Sequence, residues 1–202
     1  MNDGIKICGG YMEFRNSKPQ DYNEIVYCIY KGFERHFKLF KISDEKIKNM
    51  LLNIVKLEQF KVAVDDGKVI ACCGVAKGGN RLYKKEGYSF YKEFGLVKGF
   101  IIAKVVYQAL GKPYNVEADC GYFEYVTTLE AYQGKGIMKK LLSWTIENSV
   151  YPCYMLDVAS NNEAAIKLYE KLGFVESHRI KEKFAKHAGF EYLIFMKLDL
   201  KR

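Results

Sequence analysis

The stretch Gln133-Gly134-Lys135-Gly136-Ile137-Met138 is the part of the chain best suited to hold an anion. Gly134 and Gly136 fall between a strand-like and a helix-like pattern. Residues without side chains there let backbone N–H groups curl around a phosphate at the positive end of a helix dipole. Two familiar nucleotide loops fail on spacing. A P-loop needs glycine five residues before Gly134, where Leu129 stands, and serine or threonine after the lysine, where Gly136 stands. A dinucleotide fingerprint needs a third glycine where this chain has Lys139. The glycine pair alone is also compatible with a plain tight turn between strand and helix.

The elements around this loop must position it. Tyr122 to Leu129 reads as a buried strand, Glu130 to Met138 as a turn, and Lys139 to Asn148 as a helix carrying Leu141, Leu142, Trp144 and Ile146. Pro152 to Val158 is the next strand, Asn162 to Leu172 a helix ended by Gly173, and Tyr192 to Leu198 a last strand. Upstream, Met12 to Arg15 alternates like a strand. Ser17-Lys18-Pro19-Gln20-Asp21 then opens a helix through Ile25, Ile29 and Phe33. A second helix starts at Ser43-Asp44-Glu45-Lys46, with Ile47, Met50, Leu51, Ile54 and Val55 on one face, and stops before Phe60. Lys61 to Val64 and Val69 to Ala76, around Asp65-Asp66-Gly67-Lys68, form a β-hairpin. Residues 81–119 read as an insertion, within which 96–110 is apolar and helix-like.

Tyr132-Gln133-Gly134-Lys135-Gly136-Ile137 followed by Leu141-Leu142 resembles the acetyl-CoA signature [RQ]-x-x-G-x-[GA] of the GNAT acetyltransferase superfamily, with Gln133 and Gly136 matching and Met138 at the last small position. The run from Asn162 to Phe174 resembles that family's N-x-x-A-x-x-L-Y-x-x-x-G-F helix. The two motifs stand in the family's order, within about residues 122–174. The resemblance implies an α/β, GNAT-like acyl-CoA N-acyltransferase fold: a mixed, twisted central sheet flanked by helices on both faces, in a single N-acetyltransferase domain over residues 1–202. It implies direct transfer of acetyl from acetyl-CoA to a primary amine of a small molecule or peptide. The alternative on the same fold is an acyl-CoA-binding sensor or an inactive relative.

Each residue role follows from that resemblance. Backbone groups of Val126, Thr127 and Thr128 would bind the pantetheine arm and the thioester oxygen. Gln133, Gly134, Lys135, Gly136, Ile137 and Met138 would cradle the pyrophosphate, with Lys135, Lys139 or Lys140 adding attraction at longer range. Asn162 would hydrogen-bond the pantetheine. Tyr169, seven residues later and so about two helical turns away, would face the sulfur. A phenol with a pKa of about 10 is protonated at neutral pH and can give its proton to a departing thiolate, which makes Tyr169 the candidate acid. An acceptor amine is itself largely protonated at pH 7, so a base helps. Glu124 is the candidate, directly or through water. Residues 20–40 and 81–120 would shape the acceptor pocket. Homodimers are common in the family.

Composition narrows the rest. With 202 residues, 49% hydrophobic and 28% charged, the chain can bury a real core and has no disordered bias. A formal charge of +8 favours anionic ligands in general, but no DNA- or RNA-binding motif accompanies the lysines, so no nucleic acid is expected. The 96–110 segment carries Lys98 and Lys104 and is too short to span a bilayer of about 30 Å; it is expected to cover the core, with no membrane partner. Met1-Asn2-Asp3-Gly4 has no secretory pattern, and the expected location is cytoplasmic. The cysteines at 8, 28, 72, 73, 120 and 153 lack C-x-x-C spacing and nearby histidines, so they are expected to be reduced, mostly buried thiols with no metal. His36, His178 and His187 have no evident partners in sequence and are given no catalytic role.

Overall fold

The computed structural model describes residues 5–7, 10–38, 41–84, 86–112, 116–182 and 189–200. Its strands are β1 (Ile5–Ile7), β2 (Gly10–Asn16), β3 (Phe60–Asp65), β4 (Lys68–Lys77), β5 (Gly121–Thr128), β6 (Cys153–Ala159), β7 (Val175–Lys181) and β8 (Tyr192–Asp199). They form one sheet in the order β1-β2-β3-β4-β5-β6-β8-β7. Neighbours are antiparallel except β5 and β6, which are parallel. A parallel pair requires a crossover, and α5 (Ile137–Glu147) supplies it between the two strands.

The sheet separates two cores. On one face α1 (Tyr22–Lys38) and α2 (Asp44–Ile54) bring Ile25, Ile29, Ile47, Leu51 and Ile54 against Phe60, Val62 and Tyr122. On the other, α5 and α6 (Glu163–Lys171) bring Ile137, Leu141, Leu142 and Tyr169 against Phe123, Tyr154 and Leu156. Phe123 and Tyr122 go to opposite cores because successive strand residues point to opposite faces. The entry into α1 is pinned by Asp21, which is buried, accepts from Arg15 Nη1 at 2.6 Å and Nη2 at 3.0 Å, and accepts from the Lys18 N–H at 2.7 Å.

The insertion contains α3 (Phe90–Phe94) and α4 (Leu96–Val106), with a wide turn at Tyr107–Gly111 continuing α4. α4 buries Gly99, Ile102 and Val106, as expected of a helix covering the core. Its opposite side leaves Leu96, Val97, Phe100, Ile101 and Val105 exposed. No described helix is long and apolar enough to cross a membrane.

β7 has no counterpart in the sequence reading. All seven of its residues are exposed, so it has no apolar alternation to read. The cysteines require a correction. Cys28, Cys72 and Cys73 are free and buried as expected, but Cys120 and Cys153 are joined by a disulfide. Their sequence separation of 33 conceals the fact that they sit side by side at the start of the parallel strands. Cys8 lies outside the described residues.

Candidate active site

β5 and β6 pair only at Gly121↔Tyr154 and Tyr122↔Met155, although β5 continues to Thr128 and β6 to Ala159. Beyond Tyr122 the two strands part, leaving a wedge-shaped gap in the middle of the sheet. The cause lies in β5. Its register against β4 shifts between Gly74↔Glu124 and Cys72↔Thr127, so β5 carries an extra residue there. Tyr125 takes a left-handed φ of 53° at this bulge, which bends and twists the strand. Its ring is braced by Phe60 at 5.8 Å and Phe33 at 6.4 Å between centroids. No glycine marks the bulge, and the sequence reading missed it.

Of the three strand residues assigned to the cofactor, Val126 packs toward the α5 and α6 core, while Thr127 is buried against α1. Thr128 offers its carbonyl to Gln133 Nε2 at 3.0 Å, which ties the strand end to the start of the glycine loop. That loop turns on Gly134 and Gly136, with φ of 74° and 72°. Neither glycine has a group beyond its chain neighbours within 4 Å of where a Cβ would stand, so the surrounding structure does not crowd the loop at these two positions. Gly136 is the N-cap of α5, whose first N–H groups have no intrahelical acceptor and donate to no capping side chain. Ile137 is buried and Met138 packs half-buried on the α5 and α6 core. The long side chain of Met138 is thereby directed into apolar packing. Lys135 Nζ lies 5.1 Å from the Tyr132 ring centroid, and Lys139 and Lys140 are exposed on the first turn.

Asn162 caps α6, its Oδ1 accepting from the Ala165 N–H at 3.2 Å, and remains exposed. Tyr169, two turns on, is 5% exposed and packs against Phe174 with centroids 6.0 Å apart. Burial raises its pKa above the usual tyrosine value, and the charges of Asp157 and Cys73 push in the same direction. Glu124 lies on the other face of the sheet, buried against the insertion. Its Oε1 accepts from Arg81 Nε at 2.8 Å and from the Leu82 N–H at 3.4 Å, while its buried Oε2 has no hydrogen-bond partner among the described residues. Desolvation raises the Glu124 pKa. Arg81 and the Leu82 N–H oppose that shift without cancelling it, and the charge of Asp157 adds to it.

Asp157 itself escaped the sequence reading. It accepts from Tyr122 Oη at 2.5 Å across the two parting strands, and its charge acts on both Tyr169 and Glu124. Its one sequence signal is a lone carboxylate inside the apolar strand Cys153–Ala159. The structure therefore gathers Val126, Ile137, Met138 and Tyr169 on one face and Glu124 and Thr127 on the other, with Asn162 at the rim. The histidines stand apart. His178 on β7 stacks on its cross-strand neighbour Phe195 of β8, His36 sits beside Phe33, and His187 is outside the described residues.

A family model described as the acetyltransferase (GNAT) family matches residues 26–174. No curated protein sequence matches the chain. Among solved structures, an N-acetyltransferase from Staphylococcus aureus Mu50 superposes with a TM-score of 0.62 at 22% identity, over 92% of this chain and 99% of that one. The ribosomal-protein-S18-alanine N-acetyltransferase from Escherichia coli gives 0.57 at 16% identity, over 95% of each chain. A chain of the NatC complex bound to Gag peptide and CoA gives 0.55 at 17% identity, over 94% of this chain and 99% of its own. These identities speak for the shared fold, and the family match spans most of the chain. This protein belongs to the GNAT family of acetyltransferases, and is by that membership an acyltransferase.

Proposed function

We propose that the chain transfers acetyl from acetyl-CoA directly to a primary amine of a small molecule or peptide, within a single N-acetyltransferase domain. One observation carries this reading: the only parallel strand pair among the described residues parts beside a positive-φ glycine loop at the N-terminus of α5. The gap leaves β5 backbone groups without a β6 partner where an extended pantetheine arm needs them. The loop turns orphan N–H groups toward the position of a pyrophosphate. Acetyl-CoA supplies the activated thioester.

The chain's own residues then divide the work. Val126, Thr127 and Thr128 offer backbone hydrogen bonds along the arm. Gln133, Gly134, Lys135, Gly136, Ile137 and Met138 hold the phosphates, with Lys139 and Lys140 adding charge. Asn162 sits at the rim for the pantetheine amide. Tyr169, kept protonated by burial, donates to the leaving sulfur. Glu124 accepts the amine proton through its free Oε2, directly or by way of water, while Arg81 holds the other oxygen. Arg81 also donates to the carbonyls of Lys112 at 2.9 Å and Ala109 at 3.3 Å, so one side chain fastens the insertion to the proposed base. Residues 81–119 thereby become the acceptor-side wall.

Calorimetric titration of acetyl-CoA into the wild type and into Gly136→Glu tests the cofactor site. The variant places a carboxylate where the pyrophosphate belongs and forces a side chain into a φ of 72°. Binding by the wild type and its loss in a folded variant is the expected result. An amine panel read by released CoA thiol then tests turnover. Binding with no thiol release toward any amine would make the chain a sensor or inactive relative. No binding by the wild type would remove the reading.

A further inference from the structure

We propose that Cys120 and Cys153 form a reversible oxidation site at the closed end of the wedge, whose substrate is a low-molecular-weight disulfide. The proposal rests on the acetyl-CoA reading above for its functional consequence, but not for the bond itself. The parallel register pairs Gly121 with Tyr154, so the residues one step earlier, Cys120 and Cys153, face each other as the next rung. Their Cα atoms are 4.7 Å apart, within the range that a disulfide spans without moving the backbone.

This position matters because no other covalent link joins the two strands among the described residues. Only two ladder pairs join β5 to β6, and the Tyr122–Asp157 hydrogen bond lies on the opening side of them. A covalent rung behind the ladder fixes the angle at which the strands part. In the reduced protein the angle is left to non-covalent contacts, among them the two ladder pairs, the Phe123–Tyr154 ring stack at 4.8 Å and the Tyr125 bulge, so the gap varies more and binding must order it.

The chemistry is an exchange. Cys153, 6% exposed where Cys120 is fully buried, attacks the external disulfide as its thiolate, forms a mixed disulfide and releases one small thiol. Cys120 then attacks the Cys153 sulfur and releases the second, losing its proton to Glu117, whose Oε2 lies 3.8 Å from its sulfur. Two electrons pass from the protein dithiol to the small disulfide, which leaves as two thiols. Lys197 Nζ, 2.7 Å from Glu117 Oε1, keeps that carboxylate in place.

The whole chain is equilibrated with oxidised glutathione or with a phosphine reductant, alkylated under denaturing conditions and weighed intact. Each form is also titrated with acetyl-CoA. The oxidised form should have two fewer alkylatable thiols and bind acetyl-CoA about three- to tenfold more tightly. Cys153→Ser should fix the affinity at the reduced value under both conditions. A full count of thiols after oxidation would overturn the site. So would stoichiometric zinc retained by the reduced protein, since Glu117, Cys120 and Cys153 offer three donor atoms within 4.8 Å of one another. A formed bond with unchanged affinity, or a redox response that survives in Cys153→Ser, would overturn its coupling to the gap. If neither form binds acetyl-CoA, the functional reading fails while the thiol count still decides whether the site exists.

Discussion

Tyr125 does a glycine's job without being one. A non-glycine residue in the left-handed region costs on the order of 1 kcal/mol, and it persists only where its surroundings fix it. Here Phe60 and Phe33 grip the ring, so the same aromatic contacts that stabilise the core also hold the bulge that parts the strands. Tyr169 shows a second use of burial. With its phenol shielded and its pKa raised, Tyr169 holds its proton at neutral pH, and the hydroxyl is in the donor form that a departing thiolate needs. Tyr169→Phe should therefore lower kcat on the order of 100-fold while leaving the KM for acetyl-CoA within about twofold. Steady-state kinetics measures this, and an unchanged kcat would make the residue a packing side chain.

At the scale of elements, the first helix is fitted to the site by a missing side chain. A Cβ on Gly32 would stand 2.1 Å from Thr127 Oγ1 and 2.8 Å from Thr127 Cβ, so α1 can reach β5 only because residue 32 has none. The next residue, Phe33, leaves helical geometry at φ −120° and ψ 16°, which kinks α1 where it crosses the proposed site. Gly32→Ala should destabilise the fold by roughly 1–3 kcal/mol, read as a drop in the denaturant midpoint. Gly32→Ala combined with Thr127→Ala should recover only the part of that loss due to Thr127 Oγ1 at 2.1 Å, because the Cβ at 2.8 Å remains. A single variant as stable as the wild type would show that the helix simply shifts outward.

The same contrast explains what was legible in the chain. The hairpin at Asp65-Asp66-Gly67-Lys68, the helical faces at 25–33 and 47–54, and the strand, loop and helix around Gly134 all write their periodicity or turn chemistry locally. The bulge, the disulfide and the ties of Arg81 and Asp157 depend on residues distant in sequence meeting across the sheet, and no local pattern encodes them. Glu124 could be nominated from its place in a strand. Its buried partner, 43 residues earlier in the insertion, could not.

For the molecule as a whole, stability is unevenly spread along the sheet. β3 and β4 are buried on both faces, whereas β7 is exposed throughout and, among the described residues, pairs only with β8. Amide hydrogen exchange should follow that gradient, with β7 exchanging well before β4. Mass-resolved exchange on peptides covering 175–181 and 68–77 measures it, and equal protection would mean that the sheet opens as one cooperative unit.

β7 is also the strand at which the sheet ends, and an open strand edge is a template on which a second chain could add. This one is a poor template. Its register breaks between Glu176 and His178, so its outer hydrogen-bonding groups do not form an even row. Glu176, Arg179 and Lys181 set charges along it, with Arg179 Nη2 2.6 Å from Glu176 Oε2. The residues that make this strand hard to recognise from sequence are the ones that discourage edge-to-edge aggregation there.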